Sequence, residues 1–178
     1  MTTLYLFGAA APPVLEISGV IERAQSRGWD VCLGLTPTAA RWLESDLLAL
    51  EELTRHPVRS EYKMPCEPDA WPSADVILFA PATFNSVNHW ALGLTDRFVI
   101  GVVAEAVGKR IPVVAMPCLN AAYVQHRAFG RSVAELREMG VTVLYGEGGF
   151  VPNRPGDKVP FPWHLALAAV ESIVSRRP

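Results

Sequence analysis

Ala80-Pro81-Ala82-Thr83-Phe84-Asn85-Ser86 follows the unbroken apolar run Val76-Ile77-Leu78-Phe79, and Met116-Pro117-Cys118-Leu119-Asn120 follows a second apolar run at 112–115. A short run with no polar break reads as a strand covered on both faces, as parallel strands are. Each run ends in a proline and then an asparagine, and neither junction carries a charge. Ligands of open parallel sheets bind beyond the carboxyl ends of the strands. Two such junctions therefore point to one shared small-molecule site. Its neutral lining suits a planar, partly apolar ligand better than a bare polyphosphate.

The same alternation extends both ways along the chain. Residues 4–7 read as a strand; Pro12-Pro13 then opens a helix with Val14, Ile17, Ile21 and Ala24 on one face, closed at Gly28. A strand at 29–35 leads into Thr36-Pro37-Thr38, a hydroxyl cap followed by proline at the first helical position. Helical text at 47–54, 88–108, 121–139 and 165–175, and a last strand at 141–144, complete the pattern. The expectation is a three-layer α/β/α fold with a mostly parallel sheet, Rossmann-like or flavodoxin-like, in one domain spanning 1–178. The stretch 146–163 holds eight Gly or Pro in eighteen residues and reads as a flap.

Composition narrows the function. Apolar residues make up 50% and charged residues 19%, which fits a fully covered sheet, a subunit interface or both. A net charge of −2 gives no basic field for nucleic acid, and Arg176-Arg177 is the one close basic pair without an obvious face. No apolar stretch nears the ~20 residues that span a membrane, and the apolar start lacks the basic residues of a secretion signal. Cys32, Cys66 and Cys118 form no CxxC pair, and the four histidines show no metal-ligand spacing. A reducing, cytoplasmic setting without a metal is expected.

Candidate site residues come from the loops. Gly8, Ala9 and Ala10 follow a strand and precede a helix, where backbone N–H groups can meet a phosphate. There is no GxGxxG or GxxxxGK[ST], so a dinucleotide fingerprint and a P-loop are both excluded. Thr36 either caps its helix or offers a hydroxyl to the same phosphate. Asn85 and Asn120 either make local turns or hold a carboxylate without a charge to neutralise.

These residues resemble the homo-oligomeric flavin-containing cysteine decarboxylases. Pro81-Ala82-Thr83-Phe84-Asn85-Ser86 is similar to that family's Pro-Ala-Ser-Ala-Asn-Thr, Pro117-Cys118-Leu119-Asn120 to its Pro-x-Met-Asn, and Gly93-Leu94-Thr95-Asp96 to its Gly-Ile-Ala-Asp. The resemblance runs over about residues 4–144. It implies FMN, with Gly8, Ala9, Ala10, Thr36 and Thr38 at the phosphate. Ala80, Pro81, Ala82 and Thr83 would lie along the ring, and Asn85 and Asn120 on a substrate carboxylate. It also implies a homo-oligomer, a trimer or a multiple of one, and a small-molecule or peptide C-terminal substrate. Two departures bear on the reaction. The family's histidine base is missing, with Cys66-Glu67-Pro68 in its place, so Glu67 is the replacement to test. The flap carries no cysteine. The implied function is flavin-dependent oxidoreduction or decarboxylation of a carboxylate-bearing, cysteinyl substrate. The alternative is a non-catalytic flavin-binding or regulatory protein, as in fungal relatives that inhibit phosphatases.

Overall fold

A computed structural model describes residues 1–157 and 159–176. Lys158 of the expected flap and Arg177 of the arginine pair lie outside the described residues. The sheet has five parallel strands in the order β2-β1-β3-β4-β5: β1 (Thr2–Gly8), β2 (Trp29–Leu35), β3 (Val76–Ala82), β4 (Val113–Pro117) and β5 (Thr142–Val143). This is the flavodoxin-like order. The chain leaves β1 toward β2 on one side and returns to pair β3 on the other, so the crossovers diverge between β1 and β3.

Alternate side chains feed two separate cores. Leu4, Leu6, Leu78, Val114 and Met116 face a layer containing α1 (Ile17–Gln25), α3 (Leu47–Thr54) and α8 (Trp163–Val174). Phe7, Ile77, Phe79, Val113 and Ala115 face a layer of α4 (Phe84–Ala91), α5 (Phe98–Gly108) and α7 (Arg127–Glu138). The strands lack the polar alternation of a half-wet sheet because both faces are covered. The three-layer expectation holds.

Several boundaries move. Pro12–Glu16 is a 3-10 turn that runs into α1 rather than part of one α-helix. The stretch 121–139 breaks into α6 (Ala121–Val124) and α7, because two caps lie six positions apart. Asn120 Oδ1 accepts from the N–H groups of Ala122 and Tyr123, and His126 Nδ1 accepts from Ala128 N–H at 3.2 Å. The last strand covers only two of the four expected residues, giving way to a Tyr145–Phe150 bridge. A short helix, α2 (Pro37–Trp42), follows β2, but the Thr36 side chain makes no cap bond to it.

Candidate functional site

The loops at the carboxyl edge are stitched side by side by their backbones. Thr36 N–H donates to Gly8 C=O, Ala9 N–H to Pro81 C=O and Cys118 N–H to Ala82 C=O, each at 2.9 Å. Strand order thus sets four loops in a row across the switch point. Above them opens a cavity of about 970 Å³, at the upper end of the range for small-molecule sites.

Ala10, Thr36, Thr38, Thr83, Asn85 and Asn120, all expected from sequence, line this cavity. Gly8, Ala9, Ala80, Pro81 and Ala82 do not; they form the layer beneath. Gly8 has a packing reason of its own, since a Cβ there would sit 2.8 Å from Val14 Cγ2 and 3.3 Å from Leu35 Cδ2. Glu67 is not in the cavity wall. It is exposed, and its Oε2 accepts from Met64 N–H at 3.0 Å within its own loop. Among the described residues no histidine lines the cavity.

Local hydrogen bonding decides which groups remain free. Thr83 caps α4, accepting from Ser86 N–H at 3.3 Å, and its Oγ1 lies 2.9 Å from Ser86 Oγ. Thr36 is buried with its hydroxyl unused as a cap, so the capping role weighed from sequence does not account for it. Asn120 combines both alternatives. Its oxygen caps α6 at 3.0 and 3.2 Å, while its amide N–H2 makes no hydrogen bond among the described residues. Asn85 is exposed and its side chain is unbonded there too. Two amide donors therefore open into one cavity.

Sequence reading missed much of the remaining wall. Phe84 packs on Tyr123 with ring centroids 5.0 Å apart, joining the third loop to α6. Trp42 adds a half-exposed ring from α2. The stretch 146–163 folds against the opening, contributing Phe150, Asn153, Arg154, Asp157 and Phe161 among others. Buried Phe150 and Phe161 root it in the core, and Asn153 C=O accepts from Ala121 N–H at 2.8 Å. Arg97, Arg154, Glu16 and Asp157 share the lining, so its few charges balance. Arg97 is half-buried and makes no ion pair among the described residues. Burial pushes the Cys118 thiol up to about 11, so it stands in the wall as a neutral group.

The profile of the Flavoprotein family matches residues 4–170, and the chain belongs to that family. The coenzyme A biosynthesis bifunctional protein CoaBC of Bacillus subtilis (strain 168) is 25% identical over 144 residues, covering 78% of this chain and 34% of that protein. The chain thus spans about a third of that relative's length. The FMN-dependent cysteine decarboxylase TvaF from thioviridamide biosynthesis superposes with a TM-score of 0.75 at 20% identity, over 99% of each chain. The peptidyl-cysteine decarboxylase EpiD gives 0.72 at 18% identity, over 96% of this chain and 99% of its own. At such identities the structural likeness speaks to the fold. Among the described residues no helix is long and apolar enough to cross a membrane.

Proposed function

We propose that this member of the flavoprotein family binds FMN along the carboxyl edge of its sheet and decarboxylates, or oxidises in a related way, a small carboxylate-bearing substrate, a cysteinyl one included. The carrying observation is the continuous wall from Ala10, Thr36 and Thr38 through Thr83 to Asn85 and Asn120, around one cavity of about 970 Å³. Its features fit the cofactor. Small side chains at Ala10 and Ala11 let the backbone come close, and the Thr36 hydroxyl is not spent on its own helix. The neutral Thr83 turn suits an apolar ring edge.

In this reading Ala10, Thr36 and Thr38 hold the phosphate, with Gly8 and Ala9 keeping that loop in place from below. Ala80, Pro81 and Ala82 brace the Thr83 turn against the ring. Asn85 and Asn120 donate to the substrate carboxylate. Neutral donors orient a carboxylate without the strong ion pair that would oppose its loss as CO2. When bound, FMN supplies a two-electron acceptor, and the protein supplies position and exclusion of water. The flap residues Phe150 and Phe161 narrow the solvent path. Glu67 joins such a site only if a second copy of the chain brings it there, and we read the protein as a homo-oligomer, a trimer or a multiple of one. Light scattering that returns a 19.4 kDa particle would remove that role.

Titration of FMN into the purified protein tests the core of the reading. Saturable binding with a perturbed flavin spectrum supports it; a colourless protein that takes up no FMN overturns it. The lack of a histidine in the described cavity wall favours a second reading, a flavin-binding protein with little turnover. CO2 release from phosphopantothenoylcysteine, measured beside an active decarboxylase, should be weak or absent, and turnover of another carboxylate-bearing substrate with reduction of the flavin separates the two readings.

A further inference from the structure

We propose that Asp30, Cys32 and His56 form a site for one zinc ion that clasps the sheet-edge strand β2 to the segment following α3. Asp30 and Cys32 are alternate residues of β2, so their side chains share a face. His56 reaches that face just after Arg55, which ends α3 in the left-handed conformation at φ 61°. One donor atom from each of the three residues lies within 4.8 Å of the other two. None of them lines the cavity, so this site is separate from the flavin reading.

The bland account is a His–Asp hydrogen bond, and that bond is present: His56 Nε2 stands 2.9 Å from Asp30 Oδ1. Cys32, packed in the second core, brings a third donor to that pair. The Cys32 side chain is fully buried beneath the pair, while the His56 and Asp30 side chains are each 20% exposed. A thiolate below, an imidazole and a carboxylate above, and a water entering from the exposed side make four tetrahedral positions. That mixed sulfur, nitrogen and oxygen set suits zinc rather than the oxygen-seeking magnesium or calcium. Zn–S near 2.3 Å and Zn–N near 2.0 Å put tetrahedral donors about 3.5 Å apart. From within 4.8 Å the thiol and the pair close onto the ion, and the His–Asp contact opens slightly from 2.9 Å. On binding, the Cys32 thiol releases its proton to solvent as the S–Zn bond forms, with no change of oxidation state.

The location gives the clasp a purpose. Beyond His56 the chain runs along the sheet edge, where Arg59 N–H donates to Leu33 C=O at 3.1 Å and Leu35 N–H to Arg59 C=O at 2.8 Å. Cys32 and His56 are 24 positions apart in sequence, so motif spacing does not reveal them.

The test loads metal-stripped full-length protein with one equivalent of Zn²⁺ under reducing conditions, then desalts it. One zinc retained per chain, with one sulfur at about 2.3 Å by X-ray absorption, is the expected result, along with a zinc-dependent rise in Tm. Cys32→Ser should lose the sulfur signal and at least ten-fold in affinity, and Cys66→Ser should change neither. If Cys32→Ser misfolds by circular dichroism, His56→Gln carries the test through the same ten-fold loss. Zinc lost on desalting, no sulfur neighbour, or equal retention by the Cys32 or His56 variant overturns the proposal.

Discussion

Replacing Asn120 separates two jobs that one side chain performs. Its oxygen caps α6, and its free amide hydrogens face the cavity. Asn120→Ala removes both. Loss of an N-cap costs about 1 kcal/mol, which lowers Tm by roughly 2–4 °C in a chain of 178 residues. Asn120→Asp keeps an acceptor for both N–H groups, and its charge is favourable at a helix N-terminus. Its Tm should therefore stay at or above wild type. Binding behaves the opposite way. A hydrogen bond to a charged group is worth about 1.5–3 kcal/mol, so Asn120→Ala should weaken a carboxylate ligand roughly 10–150-fold. Asn120→Asp should weaken it further, through like-charge repulsion. Calorimetry on FMN-loaded protein, with N-acetylcysteine and its carboxamide as probes, reads this; the carboxamide, which accepts only a neutral bond, should lose less with Asn120→Ala and escape the repulsion of Asn120→Asp. The reasoning fails if Asn120→Asp melts as low as Asn120→Ala, or if both variants bind N-acetylcysteine as wild type does.

Gly8→Ala should lower stability by about 1–3 kcal/mol, because its Cβ meets Val14 and Leu35 in a filled core. Gly101→Ala meets chiefly the hydroxyl end of half-exposed Tyr62, which can swing aside, and should cost less in urea unfolding. Phe161→Ala should cost about 3 kcal/mol by unpinning the flap, whereas exposed Arg154→Ala should stay within roughly 0.5 kcal/mol. The raised Cys118 pKa makes the folded state hold a proton that the unfolded chain releases from its ordinary value of 9.0. The stability it contributes is complete below that value and is lost as pH rises through about 11. Cys118→Ala should accordingly flatten the fall in Tm between those limits.

Burial on both faces made the strands legible. Val76 to Phe79 and the run before Pro117 are apolar without a break, and the loops that follow had to share one edge. Order was less legible, because nothing local in the chain states that β3 pairs with β1 rather than β2. The break between α6 and α7 escaped periodicity because it depends on two side-chain caps, and His126 is not an expected cap residue. Glu67 was placed by its position along the chain, yet its loop turns the carboxylate back on Met64 N–H. Phe84, Trp42, Tyr123 and Arg97 enter the wall from helix starts and ends, a matter of direction that sequence spacing does not encode.

The three 2.9 Å bonds that stitch the loops under the cavity have a kinetic consequence. The amides of Ala9, Thr36 and Cys118 should exchange with deuterium only through large-scale opening of the sheet. The cavity floor is then rigid before any ligand arrives, so binding need not order it. The entropy lost on binding falls instead on the flap and the ligand.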